Sequence, residues 1–254
     1  MEWQDSGIVL SVRPHGEAAA IVELLTRHYG RHFGLVKGGR SRINRPMLQT
    51  GNLLYATWRA RLEEHLGFYT IEAERLRAAQ LMQGRAQTLG LSYTASLARL
   101  LPERDPHPEL FEFLNFIIDN LDHDNGPRDL VRFEMRLLAE LGFGLDIYEC
   151  ALTGATEGLA YVSPKTGRAV CAAAAGPWVD KLMTLPVFLC NNGDELPVKI
   201  HDILSGAKLT AFFLQRHVYE PRQLKEPEAR ARYFSLFKQS REPHESVAGT
   251  KNVR

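Results

Sequence analysis

Apolar and polar positions alternate in short runs over roughly the first 75 residues, then give way to a helical period that holds for most of the remaining chain. Runs at 7–12, 19–26, 31–37, 48–58 and 67–74 are rich in β-branched, leucine and aromatic residues and predict five strands. Residues 14–16, Tyr29-Gly30 and Gly38-Gly39 supply the breaks between them. Five strands in so short a stretch predict a small closed barrel, and an OB-fold and an SH3-like barrel both satisfy the pattern.

The switch to helical periodicity near Arg75 places a first domain at 1–78 and a helical domain at 79–238. Residues 75–101 are dominated by strong helix formers until Pro102, Pro106 and Pro108 stop them. Pro108 can open a second helix whose one face carries Leu110, Leu114, Ile117, Ile118 and Leu121, ending in a turn at 122–126. A third begins at Pro127, carries Leu130, Phe133, Leu137, Leu138 and Leu141 on one face, and stops at Gly142. Arg128, Arg132 and Arg136 fall opposite that leucine face and predict an exposed basic stripe. Between Cys150 and Cys171 the chain is short-stepped and turn-rich around a strand at 159–162, which predicts a small knuckle inserted among helices. Helical pattern is expected at 178–191, a break at Asn192-Gly193, and a helix from about Lys199 to Val218 with Leu204, Leu209, Phe212 and Phe213 in the core. Pro221 and Pro227 interrupt a basic stretch that includes Arg216, Arg222, Lys225, Arg230 and Arg232. Residues 239–254 have low hydrophobicity and no period and predict a disordered tail.

Charge changes this picture most. The chain is nearly neutral, formal net +1, yet 24–62 holds Arg27, Arg31, Lys37, Arg40, Arg42, Arg45, Arg59 and Arg61 with no Asp or Glu. Cations gathered in one acid-free segment make a local anion-binding signal that the average hides. Tyr29, Phe33, Tyr55 and Trp58 are interleaved with them, and Gly30, Gly34, Gly38 and Gly39 loosen the backbone. That mixture suits a groove that neutralises phosphates and stacks bases, although a merely solvated basic face has the same composition. No apolar run approaches the length of a membrane span, and the start of the chain lacks a secretory signal, so a cytoplasmic protein is expected. Cys150, Cys171 and Cys190 are too few for a disulfide framework and should remain thiols.

Taken in order, 7–10, Arg13-Pro14, Gly16-Glu17, Thr26, Gly30-Arg31, 36–41 and 48–52 resemble the bacterial RecO family of DNA repair proteins. So do 132–134, Leu137-Leu138, 141–143, 161–164 and Gly167-Arg168, and the similarity runs to about residue 235. The resemblance implies an α+β chain: an N-terminal five-stranded OB-fold, then a helical domain with a zinc-finger-like insertion at about 147–176. It also implies binding of single- and double-stranded DNA, annealing of complementary strands, and work in the RecFOR pathway with RecR to load RecA onto strands covered by single-stranded-DNA-binding protein. The helical domain of the family holds the acidic, phenylalanine-ended tail of that protein. Arg132 is therefore expected to contact the tail, with Arg128 and Arg136 beside it. Arg13, Lys37, Arg40, Arg42 and Arg45 are expected to form the primary DNA surface, supported by Arg27, Arg31, Arg59 and Arg61.

The insertion departs from the family pattern. Metal-binding members resemble two Cys-x-x-Cys pairs, whereas here Cys150 is followed by Thr153 and Cys171 by Ala174. Structural zinc takes four ligands, so no cofactor is expected and the knuckle should fold by packing, with Tyr161 in its core. No catalytic constellation is present: there is no Walker loop, His-Glu-x-x-His or Gly-x-Ser-x-Gly, and Glu63-Glu64 and Asp122 with Asp124 read as surface turns. Cys190 reads as a core thiol. The competing reading is an OB-fold RNA-binding or translation-associated factor.

Overall fold

The computed structural model describes residues 1–190 and 198–238. Its first part is a closed barrel of β1 (Glu2–His15), β2 (Ala19–Thr26), β3 (Gly30–Val36), β4 (Leu53–Arg59) and β5 (Phe68–Arg75), in the order β1-β2-β3-β5-β4. All pairings are antiparallel except β3 with β5, where Leu35 and Val36 run alongside Phe68 and Tyr69. A short helix, α1 (Asn44–Met47), lies between β3 and β4. This order, with its one parallel pair, is that of an OB-fold and separates it from the SH3-like alternative.

Closure depends on β1 serving two neighbours. Its first half pairs with β4, from Glu2 opposite Arg59 to Ile8 opposite Leu53. Its second half pairs with β2, and a register shift between Val9 and Ser11 turns the strand from one to the other. β3 alternates strictly between buried and half-buried positions, as a period of two requires. Gly34 falls at an inward position because the Tyr69 ring occupies that space; a Cβ there would lie 2.4 Å from the ring. Val9, Val22, Leu24, Val36, Leu54, Trp58 and Tyr69 fill the barrel.

Ile8, Leu10, Leu25 and Leu53 point outward, yet they are buried because the helices pack on them. Those helices are α2 (Ala78–Leu81), α3 (Arg85–Ala98), α4 (Pro108–Asp119) and α5 (Gly126–Glu140), then α7 (Ile200–Leu214) and α8 (Glu228–Lys238). The insertion holds β6 (Leu159–Val162), β7 (Ala169–Cys171), the single turn α6 (Ala172–Ala175) and β8 (Met183–Thr184), in the sheet order β7-β6-β8.

Two polar joints fasten barrel to helices. Asn52 is buried; its amide donates to the carbonyls of Pro46 and Met47 at 3.0 Å, and its oxygen accepts the backbone N–H groups of Arg77 and Ala78 at 2.9 Å. Glu23, fully buried on β2, accepts Ser11 at 2.6 Å, Arg31 at 2.6 Å and Arg99 at 2.9 Å.

Five expectations are corrected. Residues 48–52 are a turn, because Asn52 is committed to both sides of it and Gly51 has φ +90°. The helix expected over 75–101 is two, divided at Gly84, which is extended ahead of α3. Instead of a helix, 178–190 contains 3-10 turns and the two-residue strand β8, since Pro177 and Pro186 leave too few consecutive donors for a regular helix. Phe212 is 37% exposed rather than core, while α8 follows Pro227 where only a broken basic stretch was expected. The break at 192–193 and the tail at 239–254 lie outside the described residues.

Candidate functional site

The loop joining β3 to α1 is a compact turn. Gly38 has φ +65°, Ser41 N–H donates to the Gly38 carbonyl at 2.9 Å, and the Asn44 amide donates to the same carbonyl at 3.1 Å. Gly39 is pressed on the barrel, where a Cβ would lie 2.7 Å from that of Ala20. Arg40 ties the loop to the β1–β2 turn by donating to the Glu17 carbonyl at 2.9 Å, and its own N–H donates to the Ala18 carbonyl at 3.0 Å. Beside these turns is a cleft of about 520 Å³ lined by Val12, Pro14, Arg40, Arg45, Leu48 and Gln49 among others, with no acidic side chain in its wall.

Arg42 and Arg45 are exposed at this rim, and Arg13 and Lys37 are exposed on the adjoining strand ends. None of Arg13, Lys37, Arg40, Arg42 and Arg45 forms an ion pair with a carboxylate among the described residues, so their field is left to an outside anion. Of the five cations expected to be primary, Arg40 and Arg45 line the cleft, Arg42 lies on the same loop, and Arg13 and Lys37 lie on strand ends beside Phe33 and Phe68.

The other four are placed differently. Arg27 pairs with Glu112 of α4 at 2.7 Å, and Arg31 is committed to Glu23 and to the Leu101 carbonyl at 2.9 Å. Both fasten the barrel to the helices rather than widen the loop surface, a departure caused by carboxylates and carbonyls far along the chain. Arg59 pairs with Glu2 at 2.7 Å on the surface, and Arg61 is exposed in the β4–β5 loop. Trp58 is a core residue, 1% exposed, whose indole N–H donates to the Leu66 carbonyl at 3.0 Å. Tyr29 stacks on Trp3 with centroids 4.3 Å apart. Next to them His32 is buried, and burial pushes its pKa down to about 4 despite the hydrogen bond between its Nδ1 and the Phe33 carbonyl.

The α5 arginines do not form an open stripe. Arg128 pairs with the adjacent Asp129 at 3.0 Å, and Arg132 is half-buried and donates to the Phe188 carbonyl at 2.9 Å. Only Arg136 is exposed, its guanidinium 4.1 Å from the centroid of Phe113. The turn at 187–189 covers the helix face that periodicity left to water. What results is a pocket of about 380 Å³ with two guanidiniums, Arg132 and Arg136, over apolar walls that include Phe113, Ile147, Phe188 and Leu189.

In the insertion, the Cys171 N–H donates to the Cys150 sulfur at 3.3 Å, and Thr153 Oγ1 lies 3.7 Å from the Cys171 sulfur. The four positions of the expected knuckle therefore do converge, but they supply two thiols, one hydroxyl and the Ala174 methyl. That donor set does not fit a tetrahedral zinc. Cys150, Val170, Cys171 and Ala175 make a small apolar core instead, with Tyr161 packed at its edge.

Arg230 was expected only as part of a basic stretch. It is buried against Glu134, to which it donates at 2.9 and 3.0 Å, and it also donates to the Ala207 carbonyl at 2.5 Å. Tyr93 donates to the same carboxylate at 2.6 Å, and Thr210 completes the set. Burial opposes the charge on Arg230, but Glu134 more than offsets it and holds the guanidinium above its ordinary pKa. A signal for this existed: Glu134 lies on the same helix face as Leu130, Leu137 and Leu138, where an acid requires a buried partner.

Comparison with known proteins gives one consistent result. The family model described as recombination protein O N terminal matches residues 1–76, and that described as recombination protein O C terminal matches 83–226. A DNA repair protein RecO from Mesorhizobium japonicum is 48% identical over 98% of each chain. One from Rhodopseudomonas palustris is 54% identical over 87% of this chain and 90% of its own, and one from Rhizobium etli is 47% identical over 99% and 98%.

Proposed function

We propose that this chain, which belongs to the RecO family of DNA repair and recombination proteins, acts by holding DNA strands on its barrel rather than by catalysing a covalent step. The observation that carries the reading is the set Arg13, Lys37, Arg40, Arg42 and Arg45, five cations with no carboxylate partner among the described residues, of which Arg40 and Arg45 line an acid-free cleft. Phosphates recognised in this way give affinity without sequence preference, and the counterions they release make it steeply salt-dependent. A surface that lowers the repulsion between two backbones lets single strands meet, so the same rim would bind single- and double-stranded DNA and promote annealing. In the recombination pathway this would serve, with RecR, to prepare strands for RecA.

The second part of the reading concerns the α5 pocket. Two guanidiniums above a wall of phenylalanine and aliphatic side chains fit a peptide that ends in an aromatic residue and a carboxylate, such as the C-terminal tail of single-stranded-DNA-binding protein. Arg132 and Arg136 are the contacts proposed, with Arg128 left outside the pocket by its pairing with Asp129.

The deciding experiment is annealing of complementary strands, bare or covered by single-stranded-DNA-binding protein, across a salt series. Annealing that is fast at low salt and slows steeply as salt rises supports the reading; no acceleration at any salt refutes it. Binding structured RNA more tightly than either DNA would instead favour an RNA-binding factor. For the pocket, Arg132→Glu should abolish binding of a tail peptide, and retained binding would remove that assignment.

A further inference from the structure

The barrel carries a second surface on the outward side of its strands, which adjoins the loop rim and shares Arg13 and Lys37 with it. Strand register aligns one position from each strand across it: Arg59 of β4 opposite Phe68 of β5, Phe68 beside Leu35 of β3, Leu35 opposite Ile21 of β2, and Ile21 opposite Arg13 of β1. With strands about 4.8 Å apart, this row is about 19 Å long. It is apolar in its middle and ends in Arg13 on one side and, on the other, in Arg59, which is paired with Glu2.

Exposure separates this row from the rest of the barrel exterior. Leu35 and Ile21 are half-buried and Phe68 is 48% exposed, although the same strands bury their inward neighbours Val22, Gly34, Val36 and Tyr69. On the next outward row Phe33 is half-buried, with the guanidiniums of Arg13 and Arg31 at 5.8 and 5.7 Å from its centroid. The Lys37 ammonium stands 4.9 Å from the centroid of Phe68. Of the acids nearby, Glu2 is paired with Arg59 at the far end, Glu23 is buried beneath Arg31 and Arg99, and Glu63 and Glu64 are exposed in the β4–β5 loop that leads into Phe68. The other exposed barrel aromatics have partners of their own: Tyr29 stacks on Trp3, and the Tyr55 hydroxyl lies 3.3 Å from Gln4 Oε1. Phe68 meets only the Lys37 ammonium among the aromatic and cation–ring contacts of the described residues.

An apolar row with an open aromatic at its centre and cations along its borders matches a polyanion whose flat apolar faces are accessible. Single-stranded DNA has that chemistry. A duplex has the same phosphates but keeps its base faces stacked inside. We propose that the row Arg13–Ile21–Leu35–Phe68–Arg59 is a base-stacking track for single-stranded DNA, centred on Phe68, and that it favours a single strand over a duplex at the barrel. The proposal rests on the DNA-binding reading above and adds a division of labour. The loop rim takes phosphates of any strand, while the track takes bases that only a single strand offers.

The test compares three labelled probes of equal length against the full chain at fixed salt: oligo-dT, the same backbone with abasic sites throughout, and a duplex. Phe68→Ala should weaken oligo-dT binding about tenfold, the scale of losing one base–aromatic stack, and leave abasic and duplex binding essentially unchanged. Phe68→Tyr, which keeps the ring, should bind like the native chain and controls for misfolding. Oligo-dT affinity that survives Phe68→Ala overturns the track, as does an equal loss for all three probes. Either result leaves DNA binding itself standing. A native chain that binds none of the three would overturn that reading and the track with it.

Discussion

The β3–α1 loop and the helical core around Glu134 are both arginine sites, and they use the same side chain in opposite ways. In the loop, Arg42 and Arg45 face water with no carboxylate within reach among the described residues. In the core, Arg230 is 7% exposed and locked on a fully buried carboxylate that lies 96 residues away in the chain. Arg31 follows the second pattern although it belongs to the same basic segment as the loop, because Glu23 and the Leu101 carbonyl hold it. Whether an arginine's charge is available to a ligand is thus decided by an acid that folding delivers, not by the cations beside it in sequence. The core arginines carry stability and the loop arginines carry binding, and the two should separate under mutation.

The largest effect is expected in the core. Arg230→Ala leaves the Glu134 carboxylate buried with only hydroxyl partners, and breaking a buried pair from one side costs about 3–5 kcal/mol. The urea midpoint should fall by that cost divided by the slope, with the slope itself unchanged. The joint change Glu134→Leu with Arg230→Met should recover much of the loss, since it removes the stranded charge as well. A cost under about 1 kcal/mol for Arg230→Ala would mean that the core pair is no more structural than a surface one.

Next in size is a pH effect inside the barrel. His32 has a folded-state pKa of about 4 against 6.5 for a solvated imidazole, because burial penalises its charged form. Between these values the unfolded chain takes up a proton that the folded one refuses, so stability falls as pH drops from about 6.5 towards 4 and this contribution is flat outside that window. The full shift corresponds to about 3 kcal/mol. His32→Gln should remove that dependence, seen as a shallower loss of unfolding free energy over the same range. A variant that follows the native pH profile in parallel would contradict the assignment.

The sharpest division comes from two arginines of one segment. Arg31→Ala should cost about 2 kcal/mol, as Glu23 keeps Arg99 and Ser11 but loses its nearest cation, while leaving the salt slope of DNA binding unchanged. Arg42→Ala with Arg45→Ala should do the reverse. Stability should stay within about 0.5 kcal/mol, and the slope of log affinity against log salt should flatten by about 2, one phosphate contact for each residue. If Arg31→Ala flattened the slope and the loop pair did not, the roles assigned here would be exchanged.

The sequence makes the barrel legible because its strands alternate cleanly and its turns carry glycine at 38 and 39, and α4 and α5 because proline opens them over unbroken apolar faces. It is silent where the outcome depends on a partner far along the chain. Arg31 and Arg27 look like Arg42 and Arg45 until Glu23 and Glu112 are placed beside them. The α5 stripe looks open until the turn at 187–189 covers it, and no periodicity on α5 could announce a segment some 50 residues later. Phe68 lies just past the cationic segment, and only strand pairing puts it beside Lys37.

The smallest effect is expected from a metal chelator. A knuckle built on zinc loses its folding energy when the metal is withdrawn, whereas one built on packing does not notice. Here the four convergent positions give two thiols, a hydroxyl directed at one of them and a methyl group, and the space is filled by Cys150, Val170, Cys171 and Ala175. The purified chain should carry well under one zinc per molecule, and chelation should shift its unfolding midpoint by less than the equivalent of about 0.5 kcal/mol. Restoring the missing ligands, Thr153→Cys with Ala174→Cys, should turn the same fold into one that binds zinc and loses stability on chelation. A native chain that carries one zinc and is destabilised when it is removed would mean that ligands from outside the knuckle complete the site, and that packing alone does not hold the insertion.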